Sequence, residues 1–404
     1  MTESTSAADL LSEARALAPE LAALRHDLHR TPEIGLHLPK TQARLLEALD
    51  GLGLEITTGA ALSSVVAVLR GARPGPAVLL RGDMDALPVT EDSGESFSSE
   101  HAGVMHACGH DLHVAGLVGA ARLLAARREE LAGSVVLMFQ PGEEGDHGAR
   151  TMIEEGVLDA AGERVVAAYG VHVVSSMIPT GVVTGRAGAA MAAADQMYVT
   201  VRGRGGHGSM PHLAADPVPA AAEIVLGLQT AVTRQFDAHD PVVVTVGRLA
   251  AGTVDNVIPG TAELDATVRT FSSEQHAMIP GRLTRLVEHT AAAHGLTADV
   301  RYVRGYPVTV NDPGEVERGA RVIRTLMGEQ AYVTAPRPVS GAEDFSYVLH
   351  EVPGAFLFVG ATPVGADPAT APYNHSAQAR FDDGSLPVSA AVLAGLALDR
   401  LAQG

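Results

Sequence analysis

Tryptophan is absent and cysteine occurs once in the 404 residues. A single cysteine excludes an intrachain disulfide, so no covalent staple supports the fold. Aromatic residues make up only 4%, which leaves the packing to aliphatic side chains. Basic residues are scarce: 29 Lys+Arg stand against 47 Asp+Glu, a net charge of −18. That balance argues against nucleic acid or an anionic membrane as partner, and most of it serves to solvate the surface. Apolar stretches are broken by Gly, Pro or charge well short of about 18 residues, so no membrane span is expected. The opening MTESTSAADLLSEARAL has no basic segment followed by an apolar core, so no secretory signal is expected. These absences point to a cytoplasmic enzyme. With 46% hydrophobic residues the chain has material for one or two cores, and its length favours two domains.

What is present is an alternation of strands and helices. Leucines at helical spacing predict a helix over 10–28, stopped by Thr31-Pro32, and a second over 41–52. Apolar runs predict strands over 65–69, 77–80, 135–139 and 165–171, with helices over 113–128 and 148–155 between them. This order predicts an α/β domain with a largely parallel sheet. From about residue 188 the pattern changes to strand, helix, strand, twice over, which predicts an inserted ferredoxin-like α+β unit. The expected organisation is a catalytic domain over 1–187, an insertion over 188–306 and a return to the catalytic domain over 307–404.

The stretch HACGHDLH, from His106 to His113, concentrates the chemistry. Cys108 and His110 are a thiol and an imidazole one glycine apart, a pair suited to zinc and its neighbours. A C-G-H triplet alone is weak, because buried Cys and core His are common. It gains weight from Glu143-Glu144 and His172, which follow apolar strands, as do Asp83 and Asp85 in RGDMDALP. Strand ends are where such sheets gather ligand sites. One carboxylate of the Glu143-Glu144 pair could hold a metal while the other serves as general base. Asp83 and Asp85 either ligate a metal or hold a ligating histidine, the second being favoured. His207 in GRGGHGSMPH, Asn256 in VDNVIPG, Arg269 in LDATVRTF and His375 in YNHS are ambiguous one by one. An arginine suits a substrate carboxylate, but solvated strand arginines are frequent.

Together the series RGDMDALP, HACGHD, GEEG, GVH, GGHGSMPH, NVIPG, SGAEDF and NHS resembles the metal-dependent aminoacylases, hippurate hydrolases and indole-acetyl-amino-acid hydrolases, nearly end to end. Relatives in this branch often have GGHAAMPH where this chain has GGHGSMPH. The resemblance implies a dinuclear-metal exopeptidase-like catalytic domain whose insertion is both lid and dimerisation domain. It implies two divalent ions per subunit, Mn²⁺ or Zn²⁺, with Co²⁺ or Ni²⁺ as further candidates. By it Cys108 bridges the ions, His110 and His172 complete one, and Glu144 and His375 the other. Glu143 is then the general base, His207 reaches across a homodimer to hold the oxyanion, and Asn256 and Arg269 meet the substrate's carboxylate end. The implied reaction is hydrolysis of the amide bond of an N-acyl amino acid. A dipeptidase or carboxypeptidase with the same centre is the alternative, and a non-catalytic metal-binding protein is a third reading.

Overall fold

The computed structural model describes residues 7–403; the first six residues of the N-terminal stretch lie outside the described residues. Contacts divide the chain into two compact units. One takes the described residues up to Ala190, Val310–Arg337 and the chain from Tyr347 on; the other takes Met191–Thr309 and Pro338–Ser346.

In the first unit eight strands form one sheet. Its four central members, Ala132–Gln140, Arg73–Asp83, Ala167–Pro179 and Gly354–Thr362, lie side by side in that order and run parallel. The flanks are antiparallel: Val65–Arg70 joins Ala132–Gln140 in that sense, and Val183–Gly185 joins Gly354–Thr362 likewise. The sheet is therefore mixed around a parallel centre. The central strands read as near-continuous Val, Leu, Ala and Phe and are buried along most of their length. That is the composition of a sheet covered on both faces.

The helices Ala7–Arg30, His110–Ala125, Pro313–Met327 and Ser385–Ala402 pack on one another and share one core with the sheet. Gly119 permits the closest crossing: a Cβ there would lie 2.8 Å from the Ala390 Cβ. Among the described residues, Ser385–Ala402 is the one helix long and apolar enough to cross a membrane, contrary to the expectation that no stretch would qualify. Its burial explains the composition, since 78% of it is enclosed by this unit's own core.

The second unit is a four-stranded antiparallel sheet in the order Val242–Ala251, Thr261–Thr270, Ala193–Arg202, Thr297–Tyr306. Two helices, Pro217–Gln235 and Ser273–Ala293, follow its first and third strands. This is the ferredoxin-like β-α-β, β-α-β arrangement. Met197, Val199 and Val201 alternate inward against Ile224 and Leu228 of one helix and Ile279 and Leu283 of the other. Asp216 and Ser272 cap the two helices by accepting from Val218 N–H and Gln275 N–H.

A buried charge cluster ties the first helix to the rest of its unit. Arg25, 1% exposed, donates from Nε to Asp111 Oδ2 at 2.9 Å and from Nη1 to Asp383 Oδ1 at 2.6 Å. His29 Nδ1 lies 2.8 Å from the same Asp111 oxygen, and its Nε2 lies 3.2 Å from Glu91. Burial opposes charge on His29, but Asp111 and Glu91 together raise its pKa to about 9. Burial likewise opposes charge on Asp111, yet Arg25 and His29 hold it well below the usual carboxylate range. His29 therefore contributes stability fully below about pH 6.5 and loses it as pH climbs toward 9. Asp111 contributes above its unfolded value near 3.8 and loses that as pH falls. Removing the guanidinium strands a buried carboxylate, so Arg25→Met is expected to lower unfolding free energy by about 3–5 kcal/mol. Urea melts at neutral pH measure this, and an unchanged midpoint contradicts it.

Candidate metal centre

The centre is built where parallel strands end side by side. Asp83 closes its strand opposite Gln140, which closes the neighbouring one. The loops that follow both strands therefore leave the sheet together. Asp85 accepts Glu143 N–H on Oδ1 and Glu144 N–H on Oδ2, both at 3.0 Å. One carboxylate thus fixes the turn that presents the other two. Glu143 is buried at 6% exposure, while the Glu144 side chain keeps 16%.

His172 is the clearest departure from expectation. Sequence reading ends its strand at 171, but the strand runs on to Pro179 and His172 lies within it. Its local position is nevertheless an edge. Pairing with Arg73–Asp83 stops at Arg81 opposite Gly170, two residues earlier. On that side the ladder has ended and leaves an opening, although Arg73–Asp83 itself runs on to Asp83.

The Cys108 loop enters the same opening. Gly109 has φ of +87°, and a Cβ there would stand 2.5 Å from Val173 Cγ2, so the residue between Cys108 and His110 must be glycine on both counts. The helix then begins at His110, three residues before the expected start, which puts His110 and His113 on one face at i and i+3. Their rings lie 5.4 Å apart, centroid to centroid.

Cys108 Sγ lies 3.3 Å from His172 Nε2 and 3.2 Å from His375 Nε2. His375 Nε2 is 3.2 Å from Glu144 Oε1, an ion-pair distance that lacks hydrogen-bond alignment. Two sets of potential ligand atoms, each mutually within 4.8 Å, share the sulfur: Cys108, His110 and His172, and Cys108, Glu144 and His375. A further set joins His110 to Glu143 and Glu144. Cys108, His110, Glu143, Glu144, His172 and His375 are therefore brought to one place.

The donor chemistry fits divalent cations. Both ring nitrogens of His110 and Oε1 of Glu144 are buried without a hydrogen-bond partner. Unmet buried polar atoms are costly, and a cation is the group that satisfies a thiol, imidazoles and a carboxylate together. The tautomers agree. His172 Nδ1 lies 2.8 Å from its neighbour's carbonyl, Val173 O, so the proton sits there and the Nε2 lone pair faces Cys108.

Asp83 lies 2.5 Å from His113 Nδ1, accepts from Arg81 at 2.6 Å and stands 3.5 Å from His110 Nε2. His113 accepts Val173 N–H on Nε2 at 2.8 Å. Sequence reasoning gave no role to His113 or to Asn374, whose hydrogen bonds also end at this site. The i,i+3 spacing from His110 was the available signal for the first; the second had none.

His207, Asn256 and Arg269 belong to the second unit. His207 is exposed on a two-residue strand, Gly206–His207, paired with Val257–Ile258. Its Nδ1 accepts from Ser209 N–H at 3.2 Å, which leaves the proton on Nε2. The Asn256 carbonyl accepts Gly208 N–H at 2.8 Å, so the two motifs abut. The Arg269 side chain is half-buried and makes no hydrogen bond among the described residues. Burial pulls its pKa down, only partly offset by Asp195. That carboxylate is already committed to His276, Tyr302 and Gly305 N–H.

The description peptidase family M20/M25/M40 matches residues 79–399 of the chain. The chain belongs to that family. Among M20 relatives it is 38% identical over 341 residues to thermostable carboxypeptidase 2 of Saccharolobus solfataricus, covering 83% of this chain and 84% of that protein. It is 37% identical to N-acetyl-L-cysteine deacetylase of Bacillus subtilis, covering 85% and 81%. A putative aminohydrolase of methicillin-resistant Staphylococcus aureus superposes with a TM-score of 0.91 at 33% identity, over 97% of this chain and 99% of that one. A dinuclear metal-binding M20 peptidase of Bacillus subtilis gives 0.83 at 32%, over 96% and 99%.

Without a cation the M20 centre holds protons. Burial raises the Cys108 thiol, with Glu144 adding to the effect against His110. His375 is pushed up to about 10 by Cys108 and Glu144. Burial works against charge on His110, but Asp83 and Cys108 raise it well above its ordinary value. A cation must displace the protons these groups hold in order to bind. Loading the apo-protein with Mn²⁺ or Zn²⁺ is therefore expected to release protons, with affinity rising across about pH 6 to 8. Calorimetry in buffers of different ionisation enthalpy measures the release; heat independent of buffer contradicts it.

Proposed function

We propose that this chain hydrolyses the amide bond of N-acyl amino acids, releasing a carboxylic acid and a free amino acid. The observation that carries the reading is the thiol shared by two ligand sets with a second carboxylate, Glu143, beside Glu144. Cys108, His110 and His172 would hold one divalent ion, and Cys108, Glu144 and His375 the other. Mn²⁺ or Zn²⁺ suits this mixed set, with Co²⁺ or Ni²⁺ as substitutes. Such ions, when bound, polarise a carbonyl and bring the pKa of water down from 15.7 to about 7.

The chain's own groups do the rest. Glu143 takes the proton of the attacking water and delivers it to the leaving nitrogen. It is held for this by Asp85, through its own backbone N–H. His207 donates from Nε2 to the developing oxyanion; support comes from the Ser209 contact that sets its tautomer. Arg269 takes the substrate carboxylate, an assignment supported by its unpaired, half-buried guanidinium, and Asn256 lies alongside His207 to assist. Asp83 and Asp85 position the histidines and the Glu143-Glu144 turn. We place the enzyme in the cytoplasm as a homodimer, with His207 serving the partner's centre. A small N-acyl amino acid is the sole partner in this reading, with neither nucleic acid nor membrane. Carboxypeptidase action is the second reading, favoured by the 38% identity to thermostable carboxypeptidase 2.

Glu143→Gln is expected to fold, keep its ions and lose about 10²–10⁴ in kcat. His207→Ala is expected to lose about 10²–10³. Rates on N-acetyl, N-benzoyl and indole-acetyl amino acids against dipeptides decide between the two readings. Wild-type turnover by either variant removes the role given to that residue. Mixing the two inactive variants is expected to restore activity through shared sites; none after proven subunit exchange refutes the action across subunits.

A further inference from the structure

Three segments far apart in sequence supply the ligand atoms at the shared sulfur: the Cys108 loop, the His172 strand and the loop that carries His375. One side chain of the third segment is hydrogen-bonded to the other two, and it supplies no ligand itself. Asn374, 9% exposed, donates from Nδ2 to Cys108 O and to Val173 O, each at 3.0 Å. Its Oδ1 accepts Ser175 N–H and the Ser175 hydroxyl, also at 3.0 Å. The amide's orientation follows from its neighbours, because a backbone N–H only donates and a carbonyl only accepts. Every polar atom of the side chain is satisfied.

One of these bonds bears on a ligand imidazole, and a neighbouring backbone bond fixes the residue that carries another. Val173 O, which Asn374 holds, is also the acceptor that keeps the His172 proton on Nδ1. The next residue, His375, has φ of +72° and donates its backbone N–H to Ala107 O at 2.8 Å. A non-glycine residue in the left-handed region persists where surrounding bonds fix it. Here the Asn374 amide on one side and the Ala107 carbonyl on the other do so.

We propose that Asn374 is a positioning residue for the metal centre: its amide locks the Cys108, His172 and His375 segments into one frame and so sets their spacing around the shared sulfur. This rests on the two-ion reading above. Loss of the amide frees three segments to drift relative to one another, and partners that orient metal ligands typically govern affinity or activity by about 10–100-fold.

The test uses Co²⁺ titration of the apo-enzyme, followed by absorption from thiolate to cobalt and by stoichiometry, beside steady-state kinetics. Asn374→Leu keeps the branched outline, with somewhat more bulk, and removes every side-chain hydrogen bond. Asn374→Asp keeps the acceptor for Ser175 and loses both donors. Both are expected to retain native circular dichroism and to bind Co²⁺ about 10–100-fold more weakly. The thiolate-to-cobalt band is expected to shift, and kcat to fall with KM nearly unchanged. A purely structural asparagine would lower the melting temperature and leave the band and Co²⁺ affinity as in the wild type, and that result overturns the proposal. If Asn374→Leu does not fold, Asn374→Asp decides by the same readouts. Should wild-type protein bind fewer than two Co²⁺, or show no sulfur band, the two-ion reading fails first and is distinguished by that alone.

Discussion

The sulfur of Cys108, held within about 3.3 Å of an imidazole on either side, is the constraint on which the first unit's arrangement turns. A thiol flanked by two histidines, with a third imidazole and a carboxylate beside it, is unfavourable in a dry interior. Cys108 and His110 are buried, and among the described residues both ring nitrogens of His110 and Oε1 of Glu144 gain no hydrogen bond, while His375 stays half exposed. Such a cluster is stable to the extent that a cation offsets the desolvation. The fold's contribution is to bring the ligand atoms together before the cation arrives, so that little of the binding energy goes into ordering the chain.

The sheet makes that possible by letting neighbouring strands end at unequal heights. Pairing between Arg73–Asp83 and Ala167–Pro179 ends at Gly170, Ala167–Pro179 continues, and the Cys108 sulfur lies beside His172 just past that point. Beside the ligands stands a set of polar groups that hold one another. Arg81 and Gln140 fix one another at 2.9 Å, and Arg81 holds Asp83 ionised against the penalty of full burial. Asp83 and Val173 N–H grip the two nitrogens of His113, so that ring is locked in one tautomer. This is a dense network of satisfied polar groups surrounding a few unsatisfied ones, and the contrast marks where a ligand belongs.

Much of this was legible in the residues, for reasons that also explain the rest. The parallel centre of the sheet and the inserted ferredoxin-like unit follow from apolar runs and their alternation with helices. Those signals are strong because burial imposes them. Cys108, His110, Glu143 and Glu144 were found because each sits just past a recognisable apolar run or in a cluster of unusual composition. His172 was placed at a strand end because an apolar run shows its own length and not its neighbour's; the edge it occupies is made by Arg73–Asp83. The early helix start at His110 depends on a left-handed Gly109, a backbone choice that local pattern leaves open. Asn374 was invisible because its significance lies in three backbone partners up to 266 residues away.

The second unit shows the same contrast around Arg269. Asp195 is 2% exposed and accepts three hydrogen bonds, while the guanidinium of Arg269, one residue along on the neighbouring strand, donates none among the described residues. A half-buried guanidinium without a partner is selective for anions, most of all in a chain whose net charge of −18 keeps free anions away from its general surface. Under the proposed reading its ligand is the α-carboxylate. That group is common to N-acyl amino acids and to the C-terminal residue of a peptide, so the arginine is neutral between deacylase and carboxypeptidase. Discrimination between them must come from the other side of the scissile bond, where an acyl group is uncharged and a peptide's free amino terminus is a cation. Tolerance of that cation beside two bound divalent ions is an electrostatic cost. It falls on dipeptides, whose ammonium lies nearest the ions, and fades as the chain lengthens, whereas an uncharged acyl group escapes it at any length.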